Sequence, residues 1–115
     1  MPTIRLIEAE LPSFGLPETR PEFLPTLYSA RLSCLAERAK ASGLSVIVVY
    51  ADREHFANMG YLTGFEPRFE EALLILVSGH GPVLVTGPEN QGYATISPLN
   101  LKLVLYPPFG LLGAG

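Results

Sequence analysis

The sequence predicts a small three-layer α/β domain, in which helices flank a mixed β-sheet. Two observations indicate this class: helical and extended patterns alternate along the chain, and two short apolar segments lie on either side of a glycine-rich turn. The alternation is typical of parallel strands, whereas the turn predicts an antiparallel hairpin. The chain has 115 residues, the length of one domain.

The longest predicted helix spans residues 22–42. Its apolar residues recur at steps of three and four, which places them on one face: Leu24, Leu27, Tyr28, Leu32, Leu35 and Ala39. Pro25 fits the first turn, where its missing N–H has no partner within the helix. Gly43 suits the left-handed position that ends many helices.

The first predicted strand, residues 45–50, is continuously apolar and rich in β-branched residues, which is typical of a central strand covered on both faces. Asp52 is a predicted N-cap for a short helix over 53–60. Strands over 72–78, also expected to be central, and 82–86 form the predicted hairpin around the turn at 79–81. A short helix to about Thr95 and a last strand over 101–106 complete the order.

Composition limits the possible partners. The net charge is −3 and the pI is about 5.3, which disfavours nucleic-acid binding. No apolar run approaches the ~18 residues of a membrane-spanning helix. With one cysteine and no apolar leader, a cytoplasmic location is expected. Apolar residues make up 48% and charged residues 17%, and this balance predicts an apolar surface that is buried against a partner.

Isolated reactive side chains do not form a recognisable catalytic or metal site. His55 and His80 have no ligand at metal-binding spacing. Cys34 has only Arg31 and Arg38 as helix neighbours, and we expect it to be a small buried hydrophobe.

Two pairs of polar residues that are close in the sequence are also not expected to be catalytic. Ser78 and His80 lie near one strand end, where successive side chains point apart. Glu70 and Glu71 alternate faces, so solvated charges at a strand entry are expected. The nucleophile-elbow, phosphate-loop and dinucleotide-binding glycine motifs do not occur in this sequence.

The most distinctive stretch is residues 58–68, with the sequence NMGYLTGFEPR. It places the aromatic residues Tyr61 and Phe65 beside a turn, together with Arg68. Such a group can dock a carboxylate, because a guanidinium binds one bidentately. The alternative is that the two rings pack the short helix on the sheet while Arg68 is solvated.

Several runs together resemble a known family. The segments YADREHFANMGYLTGF, ALLILVSGHGPVLVT and GPENQGYA, after a helix that contains Arg31-Leu32 and ends at Gly43, are similar to the N-terminal domain of the creatinase/prolidase/Xaa-Pro aminopeptidase family. The resemblance covers residues 23–106. It implies a ribonuclease H-like motif in a domain over 22–106, followed by the start of a linker over 107–115. Residues 1–21 contain Pro12, Pro17, Pro21 and Gly15, which predict an irregular arm before this domain.

The resemblance also implies a role. In this family catalysis belongs to a C-terminal pita-bread domain with a dinuclear site for Mn, Co or Zn, which is missing from this chain. The chain would then be a truncated, accessory half that contributes homodimer contacts and shapes the pocket for a proline-containing peptide. No metal ligand is assigned to it, and alone it should be inactive. Tyr61, Phe65 and Arg68 are the expected pocket-edge residues.

A second reading of the sequence stays open. A small α/β binding or oligomerisation module, with no hydrolase partner, would carry the same excess of apolar surface and pair it with itself.

Overall fold

The computed structural model describes residues 1–110. Residues 1–24 contain neither helix nor strand, and each of them is exposed. The elements that follow are α1 (Pro25–Ala41), β1 (Val46–Ala51), α2 (Ala57–Thr63), β2 (Ala72–Val77), β3 (Val83–Thr86), a 3-10 turn (Tyr93–Ile96), β4 (Lys102–Leu105) and a second 3-10 turn (Pro107–Phe109). The predicted linker over 107–115 extends beyond the described residues.

The four strands form one mixed sheet in the order β1-β2-β3-β4. β1 pairs antiparallel with β2, and β2 pairs antiparallel with β3 through the predicted hairpin. β3 and β4 are parallel. The α/β class and the mixed sheet are therefore confirmed, with β2 in the interior as expected.

The predicted central position of β1 is wrong, because within residues 1–110 this strand is at the edge of the sheet and pairs with β2 alone. A continuous apolar run shows that both faces of a strand are apolar, but it does not specify how many strands lie beside it. The burial of β1 alternates accordingly: Val49 is half-buried, whereas Val48 is 56% exposed.

One face of the sheet carries the core. Buried residues of the strands, α2 and the turns form a single cluster: Ala51, Met59, Leu62, Phe65, Ala72, Leu74, Leu84 and Ala94. Leu32 and Leu35 of α1 pack against the same cluster. Both α-helices therefore cover the same side of the sheet.

The opposite face, here called the open sheet face, is mostly apolar and is uncovered by the described residues. Its apolar members are the alternate strand residues Val46, Val48, Tyr50, Leu73, Ile75, Val77, Val83, Val85 and Val104. Its one charged member is the exposed Lys102, which pairs with Val83. Val46, Val48 and Tyr50 are each about half exposed, and the inner positions are half-buried. Residues 1–110 thus provide two of the three predicted layers.

Helix boundaries follow local chemistry. α1 begins at Pro25, three residues later than the predicted start at Glu22, with Pro25 in the first turn as expected. Gly43 after the helix has a φ of 74°, as predicted. α2 begins at Ala57 rather than at residue 53, because a side-chain-capped turn at Asp52 precedes it. Gly64, with a φ of 75°, ends α2. The helix predicted up to Thr95 is reduced to the 3-10 turn Tyr93–Ile96.

Candidate functional site

Polar side chains gather at one end of the sheet. β1, β3 and β4 run in the same direction, so their carboxyl ends meet there, beside the beginning of β2. Asp52 follows β1, Glu70 precedes β2 and Gly87 follows β3. Loops held in this way by a rigid sheet are where binding residues concentrate.

Asp52 organises the turn after β1. Its Oδ1 accepts the backbone N–H groups of Glu54 (2.9 Å) and His55 (2.6 Å), and His55 Nδ1 lies 2.9 Å away. The Tyr50 hydroxyl donates to Oδ2. These bonds, led by the His55 backbone N–H, lower the pKa of Asp52 to about 2. Partial burial, followed by the Asp52 hydrogen bond, raises the pKa of Tyr50.

Glu70 differs from the expectation of a solvated charge. It is 3% exposed, and its carboxylate accepts the backbone N–H groups of Glu89 and Asn90, each at 2.9 Å. Its neighbour Glu71 is exposed. The alternation of faces was correctly expected, but the partners of Glu70 lie far along the chain, where a local pattern gives no signal.

Asn90 completes this connection between two loops. It is 1% exposed, and its Oδ1 accepts the backbone N–H of Arg68 at 2.9 Å. Asn90 belongs to the run GPENQGYA that carries the family resemblance, although the sequence alone gave it no role. The loop over 66–70 is therefore tied to the loop after β3 on both sides of Phe69.

The predicted residues Phe65 and Arg68 meet through Tyr93. The Arg68 guanidinium lies 5.3 Å from the Tyr93 ring centroid and 3.5 Å from its hydroxyl. The Phe65 ring packs beside the Tyr93 ring, with centroids 5.9 Å apart, and is fully buried in the core. Phe65 therefore supports this cluster from inside, and Arg68 faces a cavity of about 270 Å³.

Tyr61 lies elsewhere. It is 56% exposed on α2 and borders a groove of about 660 Å³ between α1, α2 and β1. Arg31 of α1 stacks on its ring. The structure brings Phe65 and Arg68 together but not Tyr61 with them, and a pocket-edge role for the three remains a prediction.

The other reactive residues stay apart from this cluster. Cys34 is exposed on α1 in the groove beside Tyr61, so the expectation that it is buried is wrong; it lies on the outer side of the apolar stripe. Ser78 and His80 line a separate cavity of about 310 Å³ near the hairpin turn. Within residues 1–110, no group of three or more His, Cys, Asp or Glu side chains could hold a metal ion. No helix in this range is long and apolar enough to cross a membrane.

Comparison by sequence gives no relative. No protein-family model matches the chain, and no curated protein does.

Comparison by structure gives consistent neighbours. An Xaa-Pro aminopeptidase from Streptococcus pyogenes matches 74% of this chain and 60% of its own, at 21% identity and a TM-score of 0.60. A proline dipeptidase from Streptococcus pneumoniae matches 66% and 54%, at 23% identity and a TM-score of 0.53. Dipeptidase PepE from Mycobacterium ulcerans matches 75% of this chain but 24% of its own, at 20% identity and a TM-score of 0.59.

The resemblance expected from the sequence runs is therefore confirmed at the level of the fold. The chain spans about half to three fifths of the streptococcal neighbours and a quarter of the mycobacterial one. Over about 70% of its length, this chain has a fold found in Xaa-Pro aminopeptidases and proline dipeptidases.

Proposed function

We propose that this chain is the accessory N-terminal domain of a cytoplasmic, homodimeric Xaa-Pro peptidase-like metallohydrolase. The observation that carries the proposal is the shared fold with the streptococcal aminopeptidase over 74% of this chain. Catalysis would belong to a C-terminal pita-bread domain that holds two divalent ions, Mn, Co or Zn. This chain would shape the pocket and contribute to dimer contacts.

The open sheet face supports the proposed partner domain. This face carries nine apolar or aromatic side chains on four strands, and two of them, Val48 and Tyr50, are about half exposed. Apolar patches of this kind mark interaction surfaces. The occupant we propose is a further part of the same protein, since the mycobacterial neighbour extends well beyond the region that this chain matches.

Arg68 is the strongest candidate for the pocket edge. Its guanidinium is oriented by the Tyr93 ring, and Tyr93 in turn rests on the buried Phe65 ring. A guanidinium held in this way can bind the carboxylate of a proline-containing peptide through two hydrogen bonds. Tyr61 would contact the same peptide if the rest of the protein connects the groove beside Tyr61 with the cavity beside Arg68.

Hydrolysis by the full-length protein tests the proposal. Loaded with Mn²⁺, it is expected to release proline from Xaa-Pro dipeptides and not to cleave matched Xaa-Ala dipeptides, while residues 1–115 alone release nothing. Arg68→Met should raise KM more than kcat changes, and Arg20→Met, in the exposed arm, is the matched control. Turnover by residues 1–115 alone, or none by the metal-loaded full-length protein, would contradict the proposal.

The alternative is a self-sufficient oligomerisation module, which the open sheet face also favours. Light scattering of residues 1–115 separates the two. A dimer that persists on dilution and is disrupted by Val48→Lys, on the open sheet face, supports the module. An oligomeric state that Val48→Lys leaves unchanged supports a face that is reserved for another domain.

A further inference from the structure

Phe69 has an unusual backbone. Its φ is 66°, and among residues 1–110 it is the one residue other than glycine with a positive φ. This region is costly for a residue with a large side chain, and such strain persists only where the surroundings impose it. The ring is nevertheless 55% exposed, so burial of the side chain does not account for the conformation.

The chain is fixed immediately before and after Phe69. On one side, the Arg68 N–H donates to Asn90 Oδ1. On the other, the buried Glu70 carboxylate accepts the N–H groups of Glu89 and Asn90. These three hydrogen bonds, among Arg68, Glu70, Glu89 and Asn90, are here called the Glu70–Asn90 clamp. Because both neighbours of Phe69 are held by the same distant loop, the residue between them has little freedom.

The Glu70 carboxylate also fits its site closely. Gly87 lies directly against it, and a Cβ at residue 87 would be 2.6 Å from the carboxyl carbon. Glu70 therefore cannot move toward β3 without a collision, and the clamp fixes the loop in position rather than merely attaching it.

The Phe69 ring lies between two cavities. One, of about 270 Å³, is the cavity that Arg68 faces, and the other, of about 530 Å³, lies beside Tyr50 and Phe109. Phe69 and Arg53 line both. The Arg53 guanidinium is 5.7 Å from the Phe69 ring centroid, so the ring carries a cation on one side.

We propose that Glu70 and Asn90 are positioning residues, which hold Phe69 in a strained backbone so that its ring stands as a preformed contact at the pocket edge beside Arg68. The purpose assigned to the ring rests on the proposed function. The constraint on the backbone of Phe69 does not, since it follows from the hydrogen bonds and the positive φ alone.

A tryptophan reporter tests the placement. The sequence contains no tryptophan, so Phe69→Trp gives a single fluorophore at this position. Time-resolved anisotropy, which reports nanosecond motion, should show a ring that moves only with the whole domain. Adding Glu70→Gln should produce a fast local component, because the glutamine amide presents a donor to a backbone N–H. Glu71→Gln, at the exposed neighbour, is the matched control and should leave the decay unchanged. Equal decays for the two variants would overturn the proposal.

A second pair of variants decides the matter if Glu70→Gln does not fold. Phe69→Gly and Phe69→Ala both remove the ring, but only glycine adopts a positive φ without cost. The glycine variant is therefore expected to melt at a higher temperature than the alanine variant. If alanine melts at the same or a higher temperature, the backbone of Phe69 is not held as we propose.

The full-length protein separates this inference from the proposed function. Glu70→Gln should raise KM for an Xaa-Pro dipeptide with kcat retained, and Glu71→Gln should change neither. An unchanged KM for Glu70→Gln would overturn the positioning role. Failure of the unmutated, metal-loaded protein to release proline would overturn the proposed function, while the anisotropy and melting results would still decide whether the clamp fixes Phe69.

Discussion

The guanidinium of Arg31 in α1 lies 3.9 Å from the ring centroid of Tyr61 in α2, and its Nη1 donates a 2.8 Å hydrogen bond to the Tyr61 carbonyl. Phe23 and Tyr28 also lie within 6 Å of this guanidinium, at 5.9 and 5.6 Å. One cation thus joins the two helices to each other and to Phe23, just before α1. This contact holds the Tyr61 ring against α1.

Replacing Arg31 by lysine should weaken the joint between the helices. Lysine keeps the charge but has no planar group to stack on the ring, so we expect a loss of about 1 kcal/mol in the free energy of unfolding. Chemical denaturation of residues 1–115 measures the change. Arg20→Lys, in the exposed arm, is the control and should be neutral; equal effects of the two substitutions would show that the stack contributes nothing.

The pH dependence of stability should show a contribution from Asp52. The pKa of this carboxyl is lowered from 3.8 to about 2 in the folded chain. Its stabilising effect is therefore fully present above pH 4 and is lost as the pH falls through 2. Asp52→Asn should flatten the stability profile between these values, whereas Glu54→Gln, which keeps the backbone N–H bond, should not. Parallel profiles for the unmutated chain and Asp52→Asn would contradict this assignment.

Gly64 should tolerate no side chain. Its φ is 75°, and a Cβ there would lie 3.0 Å from both Cζ and the hydroxyl oxygen of Tyr28. We expect Gly64→Ala to cost about 1–3 kcal/mol, from strain and from displacement of the Tyr28 ring. The melting temperature should fall accordingly.

Two other glycines separate those causes. Gly79 has a φ of 79° with nothing within 4 Å, so Gly79→Ala introduces strain without a collision. Gly81 has open space and no positive φ, and Gly81→Ala should be nearly neutral. The expected order of destabilisation is 64, then 79, then 81. A loss at 64 no greater than at 79 would show that Tyr28 yields freely.

Two neighbouring residues of β1 should differ in how much stability they lose when a hydroxyl group is introduced. Val48 is on the open sheet face, and Val49 packs against the core. Val48→Thr should change the free energy of unfolding by less than about 0.5 kcal/mol, and Val49→Thr should cost about 1–2 kcal/mol. Thermal unfolding of residues 1–115 provides the comparison. A large loss at Val48 would mean that the face is already covered in this chain.

The sequence was sufficient where the deciding physics is local. Pro25 and Gly43 bound α1 because one lacks an N–H and the other adopts a positive φ. The hairpin turn follows from Gly79 for the same reason. Asp52 was correctly expected to accept amide hydrogens, but its bonds close a turn at His55 and delay α2 to Ala57.

The remaining features depend on residues that are distant in the chain. Glu70 can be buried because the backbone N–H groups of Glu89 and Asn90, in the loop after β3, donate hydrogen bonds to its carboxylate. The sequence around Glu70 does not indicate these distant partners. Likewise, Tyr93 determines the setting of Arg68 from 25 positions away. For β1, the sequence showed two apolar faces but not which of them the helices would leave uncovered.

The edge position of β1 has a consequence for the isolated chain. Its outer backbone N–H and C=O groups pair with no other described strand. Its six residues contain no charge or proline that would prevent a strand of another molecule from pairing with it. The exposed β1 edges of two molecules can therefore pair with each other and form one continuous intermolecular β-sheet. Covering the unpaired edge of β1 with a neighbouring domain, or placing a charge on it, should keep concentrated preparations from forming fibrils.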